Sequence, residues 1–270
     1  MRLKDKVAII AGAGQSEPDG VGNGRATALT FAREGAKLML ANRSEPSLEE
    51  TARQIRAEGH TVETMLADIT NEANCRELIS ETKDSFGQID ILHNNVGSGI
   101  IEGDTTEIDL SEWRASLDRN LTGAMLLSKH ALPSMRAQQT GCIIHTSSIA
   151  SIGAYPLIAY KVAKAALNEF CRWLAYENGP YGIRCNSLML GLMDTPTALA
   201  MYQRASGASD VYLMDLTGSV VASSNWQVDY TFLGSNFAFR PYFYLAKQGE
   251  KVAYFALGMR SSERGIYFSE

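Results

Sequence analysis

Tyr160 and Lys164 are four residues apart, so a helix would place their side chains on one face. A phenol is a poor acid or base at neutral pH, because its pKa is about 10. A neighbouring ammonium group would favour the phenolate, and such a pair suits general acid and base chemistry. Exposed amphipathic helices also carry such pairs without any chemistry, so the surrounding residues must decide between the two interpretations.

Two further polar side chains precede this pair. Ser148 follows an apolar run with β-branched residues, 142–146, which is typical of a strand, and Asn120 lies in a predicted long helix. Open α/β sheets bind ligands at the carboxyl ends of their strands, so this hydroxyl indicates a binding site. Ser147 is a second candidate for the same role, because the interval to Tyr160 does not distinguish the two serines.

A glycine-rich stretch follows the first predicted strand, residues 6–10. Gly12, Gly22 and Gly24 would let the backbone approach a pyrophosphate, and an apolar helix begins beyond them. A flexible loop without a ligand is the alternative. The order of strand, glycines and helix favours dinucleotide binding.

The second predicted strand, residues 37–41, ends at Asn42 and Arg43. A site selective for NAD would have a carboxylate here for the ribose hydroxyls, whereas an arginine can pair with a 2′-phosphate. The sequence therefore favours NADP, with NAD as the alternative. In the other interpretation, Arg43 only begins a solvated loop.

Strands and helices alternate along the rest of the first 190 residues. Four more strands are predicted at 62–66, 89–93, about 143 onward and 183–188, and helices at 48–57, 72–86, 110–135 and 159–176. Six strands joined by helical crossovers predict an α/β fold with a doubly wound parallel sheet.

The order of these motifs over residues 1–200 resembles the short-chain dehydrogenase/reductase family, which implies a Rossmann-type sheet. Further matching features are Asp68 after the third strand, the run 94–97 after the fourth, and the segment 191–195. The cofactor-binding residues implied by the resemblance are Gly12, Gly22, Gly24, Asn42, Arg43, Asp68, Ile69, Asn94, Val96, Gly97, Tyr160, Lys164, Gly191 and Thr195.

The resemblance also implies a reaction, the interconversion of an alcohol and a ketone or aldehyde with a nicotinamide cofactor. Tyr160 would exchange a proton with the substrate oxygen, and Ser148 would hydrogen-bond the same oxygen. Lys164 would lower the pKa of Tyr160 and bind the nicotinamide ribose, and Asn120 would hold a water molecule. A small-molecule substrate and a homo-oligomer are implied as well.

The chain of 270 residues has a net charge of -5, which argues against nucleic acid or an anionic membrane as a partner. It contains no apolar run long enough to span a bilayer, and we expect a cytoplasmic protein. The four cysteines and four histidines show no spacing typical of metal ligands. We therefore expect them to be structural and the protein to hold no metal.

The pattern breaks beyond about residue 200, where the family would have further helices and a seventh strand. Of 23 aromatic residues, 13 follow Asp210, and the predicted elements there are β-hairpins. Residues 208–270 resemble part of the extracytoplasmic PAS-like sensor domain of dicarboxylate-sensing histidine kinases. That resemblance implies that Arg240 binds a small carboxylate. Alternatively, Arg240 is a surface cation packed on the neighbouring aromatic rings.

We interpret the chain as a chimera, with a domain at 1–200 that lacks its usual last strand and a β-rich, aromatic-rich segment at 208–270. The alternative is an unusual reductase whose C-terminal cap has diverged. The first function that follows is that of an oxidoreductase. The alternatives are a small-carboxylate-binding sensor fragment carried by the C-terminal segment, or a non-catalytic chimera.

Overall fold

The computed structural model describes residues 1–15, 21–99, 105–153, 157–191, 212–214, 216–223, 232, 234–249, 252–257 and 264–269. Two compact units make up the chain, Met1–Gly191 and Leu192–Glu270. Within the described residues, no helix has both the length and the apolar composition needed to cross a membrane.

Six parallel strands and the helices between them form the first unit. The strands are β1 (Val7–Ala11), β2 (Lys37–Asn42), β3 (Val62–Leu66), β4 (Ile91–Asn94), β5 (Gly141–Ser148) and β6 (Ile183–Leu190). The helices are α1 (Asn23–Arg33), α2 (Glu45–Ala57), α3 (Glu72–Phe86), α4 (Leu110–Leu117), α5 (Gly123–Gln138) and α6 (Ile158–Asn178). The predicted doubly wound parallel sheet of six strands is confirmed.

The strand order is β3-β2-β1-β4-β5-β6. The order therefore reverses between β1 and β4, whose backbones pair from Ala8 with Ile91 to Ala11 with Asn94. Ligands of open α/β sheets bind at this reversal, beyond the carboxyl ends of the strands. The glycine-rich stretch after β1 and the loop after β4 both begin there.

Apolar residues cover both faces of the sheet. Ile9 and Ala11 of β1 belong to one buried cluster, whereas Ala8 and Ile10 belong to a second. Successive residues of a strand point to opposite faces, so β1 is buried on both sides. This explains why its sequence is a continuous apolar run rather than an alternating one.

The predicted helix 110–135 differs from the structure. Two helices, α4 and α5, take its place, and a π-helical turn, Asp118–Thr122, joins them. Asn120 lies in this turn and is buried. A π-helical turn inserts an extra residue into the helical repeat, which periodicity in the sequence does not reveal.

Two antiparallel strand pairs and a short helix are described in the second unit. Strand β7 (Tyr212–Met214) pairs with β8 (Val220–Ser223), and β9 (Val252–Leu257) pairs with β10 (Arg264–Ser269). Helix α7 spans Pro241–Lys247. A small apolar cluster belongs to this unit and consists of Val220, Phe232, Phe237 and Tyr242.

Candidate active site

The last two residues of β5 point in different directions. Ser147 is buried, and its hydroxyl donates a hydrogen bond to the backbone oxygen of Lys164 at 3.3 Å. The next side chain, that of Ser148, makes a hydrogen bond with the side chain of Tyr160. Alternation along a strand thus places only Ser148 against the phenol, a distinction that the sequence interval could not make.

Lys164 is the largest of the fully buried side chains, with 1% of its surface exposed. Its Nζ atom donates a hydrogen bond to the backbone oxygen of Thr146 at 2.8 Å and lies 5.5 Å from the ring centre of Tyr160. Burial disfavours the charged form and lowers the pKa of Lys164 to about 8. The helical spacing therefore does place the phenol and the amine on one face of α6.

Burial raises the pKa of Tyr160, and the hydrogen bond with Ser148 offsets part of this increase. The net pKa of Tyr160 in the chain by itself is therefore raised, and the expected effect of the Lys164 charge stays a prediction. Desolvation opposes the phenolate more strongly than its neighbours favour it.

Asn120 holds the loop after β4 through both atoms of its amide. Its Nδ2 atom donates to the backbone oxygens of Ser98 and Ser116, each at 2.9 Å. Its Oδ1 atom accepts a hydrogen bond from the backbone N–H of Ser98 at 3.2 Å. The amide thus joins the π-helical turn to this loop.

Gly97 lies between Asn120 and Lys164. A β-carbon at this position would lie 2.6 Å from Nζ of Lys164 and 2.8 Å from Oδ1 of Asn120. Only glycine fits such a close approach without a shift of one of these groups. The structure therefore brings Asn120, Ser148, Tyr160 and Lys164 together around the ends of β4 and β5.

The loop after β4 also meets the glycines that follow β1. Gly12 has a positive φ of 80°, and a β-carbon there would lie 3.0 Å from Cγ2 of Val96. A β-carbon on Gly24 would overlap the backbone oxygen of Gly12. Gly22 is the N-cap residue of α1, so no side chain covers this helix terminus from that position. Backbone from β1, α1 and β4 is thus closely packed at the strand-order reversal.

Several predicted cofactor residues lie near the ends of β2 and β3. Arg43 is 67% exposed, and its Nη1 atom lies 3.9 Å from Oδ2 of Asp68. Burial acts to raise the pKa of Asp68, but hydrogen bonds from Thr70 and the charge of Arg43 leave it below its usual value. Ile69 is buried in the core, where it packs against Gly123.

The remaining residues predicted to bind a cofactor or ligand lie in separate parts of the chain. Asn94 is buried, and its Oδ1 atom accepts a hydrogen bond from the N–H of Val96 at 3.0 Å. Gly191 directly follows β6, and Thr195 lies outside the described residues. Arg240 precedes α7, and its guanidinium carbon lies 5.2 Å from the ring centre of Phe239.

One group of side chains escaped the sequence interpretation. His145, Cys171 and Cys185 each offer one potential ligand atom, and these atoms lie within 4.8 Å of one another. They lie on three separate elements, β5, α6 and β6, so their spacing along the sequence does not predict a ligand cluster. The expectation that the histidines and cysteines have no ligand pattern holds for spacing along the chain, but the fold brings these three together.

Comparison with known proteins places the first unit in a family. The sequence profile described as short chain dehydrogenase matches residues 6–205. An uncharacterized oxidoreductase of Staphylococcus saprophyticus is 35% identical over 198 residues, which cover 73% of this chain and 82% of that protein. A similar oxidoreductase of Staphylococcus aureus is 32% identical over 202 residues, with the same coverage.

Solved structures are similar over the same region. A short-chain dehydrogenase/reductase from Burkholderia xenovorans has a TM-score of 0.72 and 36% identity, covering 76% of this chain and 81% of that one. For NAD+-bound xylitol dehydrogenase the TM-score is 0.70 and the identity 28%, with 77% and 80% covered. The chain therefore belongs to the short-chain dehydrogenase/reductase family of oxidoreductases, which bind NAD(P) nucleotides and act on small molecules.

Proposed function

We propose that the chain is an NADP-dependent oxidoreductase that interconverts an alcohol and a ketone or aldehyde, with Tyr160 as the acid and base. The observation that carries this proposal is the hydrogen bond between Ser148 and Tyr160 beside the buried Lys164. A bound nicotinamide dinucleotide supplies or accepts the hydride. Side chains of this chain carry out the proton transfer and the binding of the substrate oxygen.

In the reducing direction, the Tyr160 hydroxyl donates its proton to the carbonyl oxygen, and Ser148 donates a hydrogen bond to the same oxygen. In the oxidising direction, Tyr160 takes the proton from the alcohol. The hydrogen bond with Ser148 supports this role, because it places the serine and tyrosine hydroxyls close enough together to reach one substrate oxygen. Lys164, with a pKa of about 8, can exchange a proton near neutral pH.

The chain fits a dinucleotide at the strand-order reversal. Gly12 and Gly24 bring two backbone segments so close that neither position accepts a β-carbon without a shift. Gly22 adds no side chain at the start of α1, where the pyrophosphate would bind, and its N–H donates to Oε1 of Gln15 at 2.9 Å. Asn42 and Arg43 would bind the 2′-phosphate of the cofactor. The opposite side of the cofactor cleft would be lined by Asn94, Val96 and Gly97.

Tyr160→Phe tests the role of the hydroxyl, because it removes one oxygen and keeps the buried ring. We expect NADPH-dependent reduction of 2,3-butanedione, the first of a panel of small ketones and aldehydes, to fall by about 10²-fold or more. NADPH binding, measured by fluorescence titration, should stay within about twofold of the unchanged chain.

Tyr176→Phe is the matched control, since Tyr176 lies on the same helix but is 78% exposed. It should keep full turnover. Turnover by Tyr160→Phe equal to that of this control would reject the catalytic assignment.

The proposed preference for NADP rests on Arg43, which is exposed. Among the described residues, its guanidinium makes one long ion pair, 3.9 Å from Asp68, and solvent screens such a pair. We expect Arg43→Glu to shift the ratio of NADPH to NADH affinity toward NADH by about 10- to 100-fold, since a charge-assisted pair is replaced by repulsion. Isothermal titration with both cofactors measures the ratio.

Arg172→Glu, at another exposed arginine, should leave the ratio of NADPH to NADH affinity unchanged. An unchanged ratio in Arg43→Glu as well would favour NAD as the cofactor and a purely solvated Arg43.

The sensor hypothesis for residues 208–270 stays a prediction, since the family profile ends at residue 205. The position of Arg240 over Phe239 is the arrangement that the alternative interpretation, a cation packed on an aromatic ring, also predicts. A rise in melting temperature with succinate that Arg240→Gln removes and Lys247→Gln retains would support carboxylate binding. No rise with succinate would reject it.

A further inference from the structure

Three side chains capable of binding a soft metal ion meet between β5, α6 and β6. His145, Cys171 and Cys185 are 0%, 3% and 7% exposed, and their potential ligand atoms lie within 4.8 Å of one another. The cluster is next to the proposed active site in sequence and space, because Lys164 is near enough to both His145 and Cys171 to influence their protonation. None of the three takes part in the proposed reaction.

A second observation comes from the hydrogen bonds of His145. Its Nδ1 atom is fully buried and has no hydrogen-bond partner among the described residues. Leaving a buried polar atom unpaired costs about 1–3 kcal/mol, and such atoms are rare in folded proteins. The unpaired nitrogen belongs to an imidazole ring that lies beside two sulfur atoms, and a ligand bound among these side chains would account for it.

The tautomer of His145 follows from its other nitrogen. The hydroxyl of Ser128 donates its single proton to the backbone oxygen of Ala124 at 2.8 Å. At the 3.0 Å contact between Ser128 Oγ and His145 Nε2, the serine oxygen must then accept, and Nε2 carries the imidazole proton. Nδ1 is consequently the nitrogen with a free lone pair, and burial lowers the pKa of His145 to about 3, so the ring stays neutral.

We propose that His145, Cys171 and Cys185 form a binding site for a thiophilic d10 cation, Zn²⁺ in the first instance. Thiolate and neutral imidazole are ligands that zinc prefers, and three protein ligands suffice when water or a small anion takes the fourth position. The hydrogen bond from Nε2 to Ser128 fixes the orientation of the ring, as such outer contacts do at known zinc sites.

The distances require a modest rearrangement. Zinc bonds of about 2.3 Å to sulfur and about 2.0 Å to nitrogen place ligand atoms roughly 3.5 Å apart. Separations of up to 4.8 Å must therefore shorten by about 1 Å when the ion binds.

Proton release accompanies binding, because zinc displaces the protons of both thiols. A hydrogen bond from the Cys185 thiol lowers the pKa of Cys171, with help from the charge of Lys164. The same bond and burial raise the pKa of Cys185. Among the described residues, the other titratable groups near these ligands are His93 on β4 and Cys142 on β5. Each zinc ion should release about two protons, and binding should tighten as the pH rises.

The test uses the full chain produced in zinc-supplemented medium, then desalted and measured for metal content. We expect about one zinc ion per chain and a decrease of at least tenfold in the Cys171→Ser/Cys185→Ser variant. Cys75→Ser, at a buried cysteine of α3 that bonds to the backbone of Ile69, is the matched control and should retain zinc. Equal zinc content in the unchanged chain and the double variant would overturn the proposal.

A measurement on the unchanged chain removes any dependence on the folding of the variants. Zinc-edge X-ray absorption should show two sulfur neighbours at about 2.3 Å. A shell of nitrogen and oxygen alone, or a Cys171–Cys185 disulfide with no bound metal, would overturn the site. Both readouts are independent of turnover, so they do not rise or fall with the proposed oxidoreductase activity.

Discussion

The Ser147–Ser148 pair illustrates how a single residue step changes the chemistry available to a side chain. Both hydroxyls end the same strand, but one bonds to the backbone of Lys164 and the other to the side chain of Tyr160. The pleat of β5 is the cause, since neighbouring residues of a strand face opposite sides. Ser148 therefore lies beside Tyr160, where the proposed reaction requires it, whereas Ser147 bonds to α6.

Lys164 should make the free energy of unfolding depend on pH in the alkaline range. Its pKa is about 8 in the folded chain and 10.5 when unperturbed, so between these values the unfolded chain binds more protons. Stability attributable to Lys164 therefore rises with pH across this window. Relative to Lys164→Met, the unchanged chain should gain about 2 kcal/mol between about pH 7.5 and 9.5.

Urea unfolding of both chains at the two pH values measures this gain, and the difference between them removes the contribution of other titrating groups. A constant difference in unfolding free energy would show that Lys164 is not desolvated as described.

At the scale of elements, the sheet alone does not form the site. The loop after β4, the π-helical turn and α6 meet at Gly97, where a β-carbon would collide with Lys164 and Asn120. The π-helical turn is needed because it sets the position of Asn120, which bonds to Ser98 of that loop. The side-chain amide of Asn120 and the close approach at Gly97 thus fix the positions of these three elements relative to one another.

Gly24→Ala should weaken cofactor binding, because its β-carbon would overlap the backbone oxygen of Gly12 and force α1 away from β1. We expect the dissociation constant for NADPH to rise at least about tenfold, as measured by fluorescence titration. Gly179→Ala is the control, since a β-carbon there has no neighbour within 4 Å among the described residues. Equal NADPH affinity in the two variants would refute the role of the close packing.

At the scale of the whole molecule, the chain has two compact units with separate apolar clusters. Phe237 belongs to the small cluster of the second unit and is buried. Phe237→Ala should cost about 3–5 kcal/mol within that cluster. We expect faster hydrogen exchange in peptides covering 234–249 and little change in β1 and β5, because each unit has its own core.

Leu92→Ala provides the reverse test, since Leu92 is buried in the core of the six-stranded sheet. It should speed hydrogen exchange in the sheet and leave hydrogen exchange in peptides covering 234–249 unchanged. Equal acceleration in both units by either variant would mean that the two cores do not act separately.

Prediction from sequence succeeded where the signal is local. Short runs rich in apolar residues, alternating with helical patterns, predicted all six strands, and helical spacing placed Tyr160 beside Lys164. Prediction failed where the signal is not local. The π-helical turn has no distinctive periodicity, and desolvation, which raises the pKa of Tyr160, depends on what surrounds the ring.

The sequence by itself determined the parallel sheet and the glycine-rich turn, because hydrophobic period and backbone freedom are properties of short segments. Only the tertiary structure decided which serine meets Tyr160, how deeply Lys164 is buried, and that His145, Cys171 and Cys185 come together. These depend on distances between separate elements, and such distances follow from packing rather than from spacing along the chain.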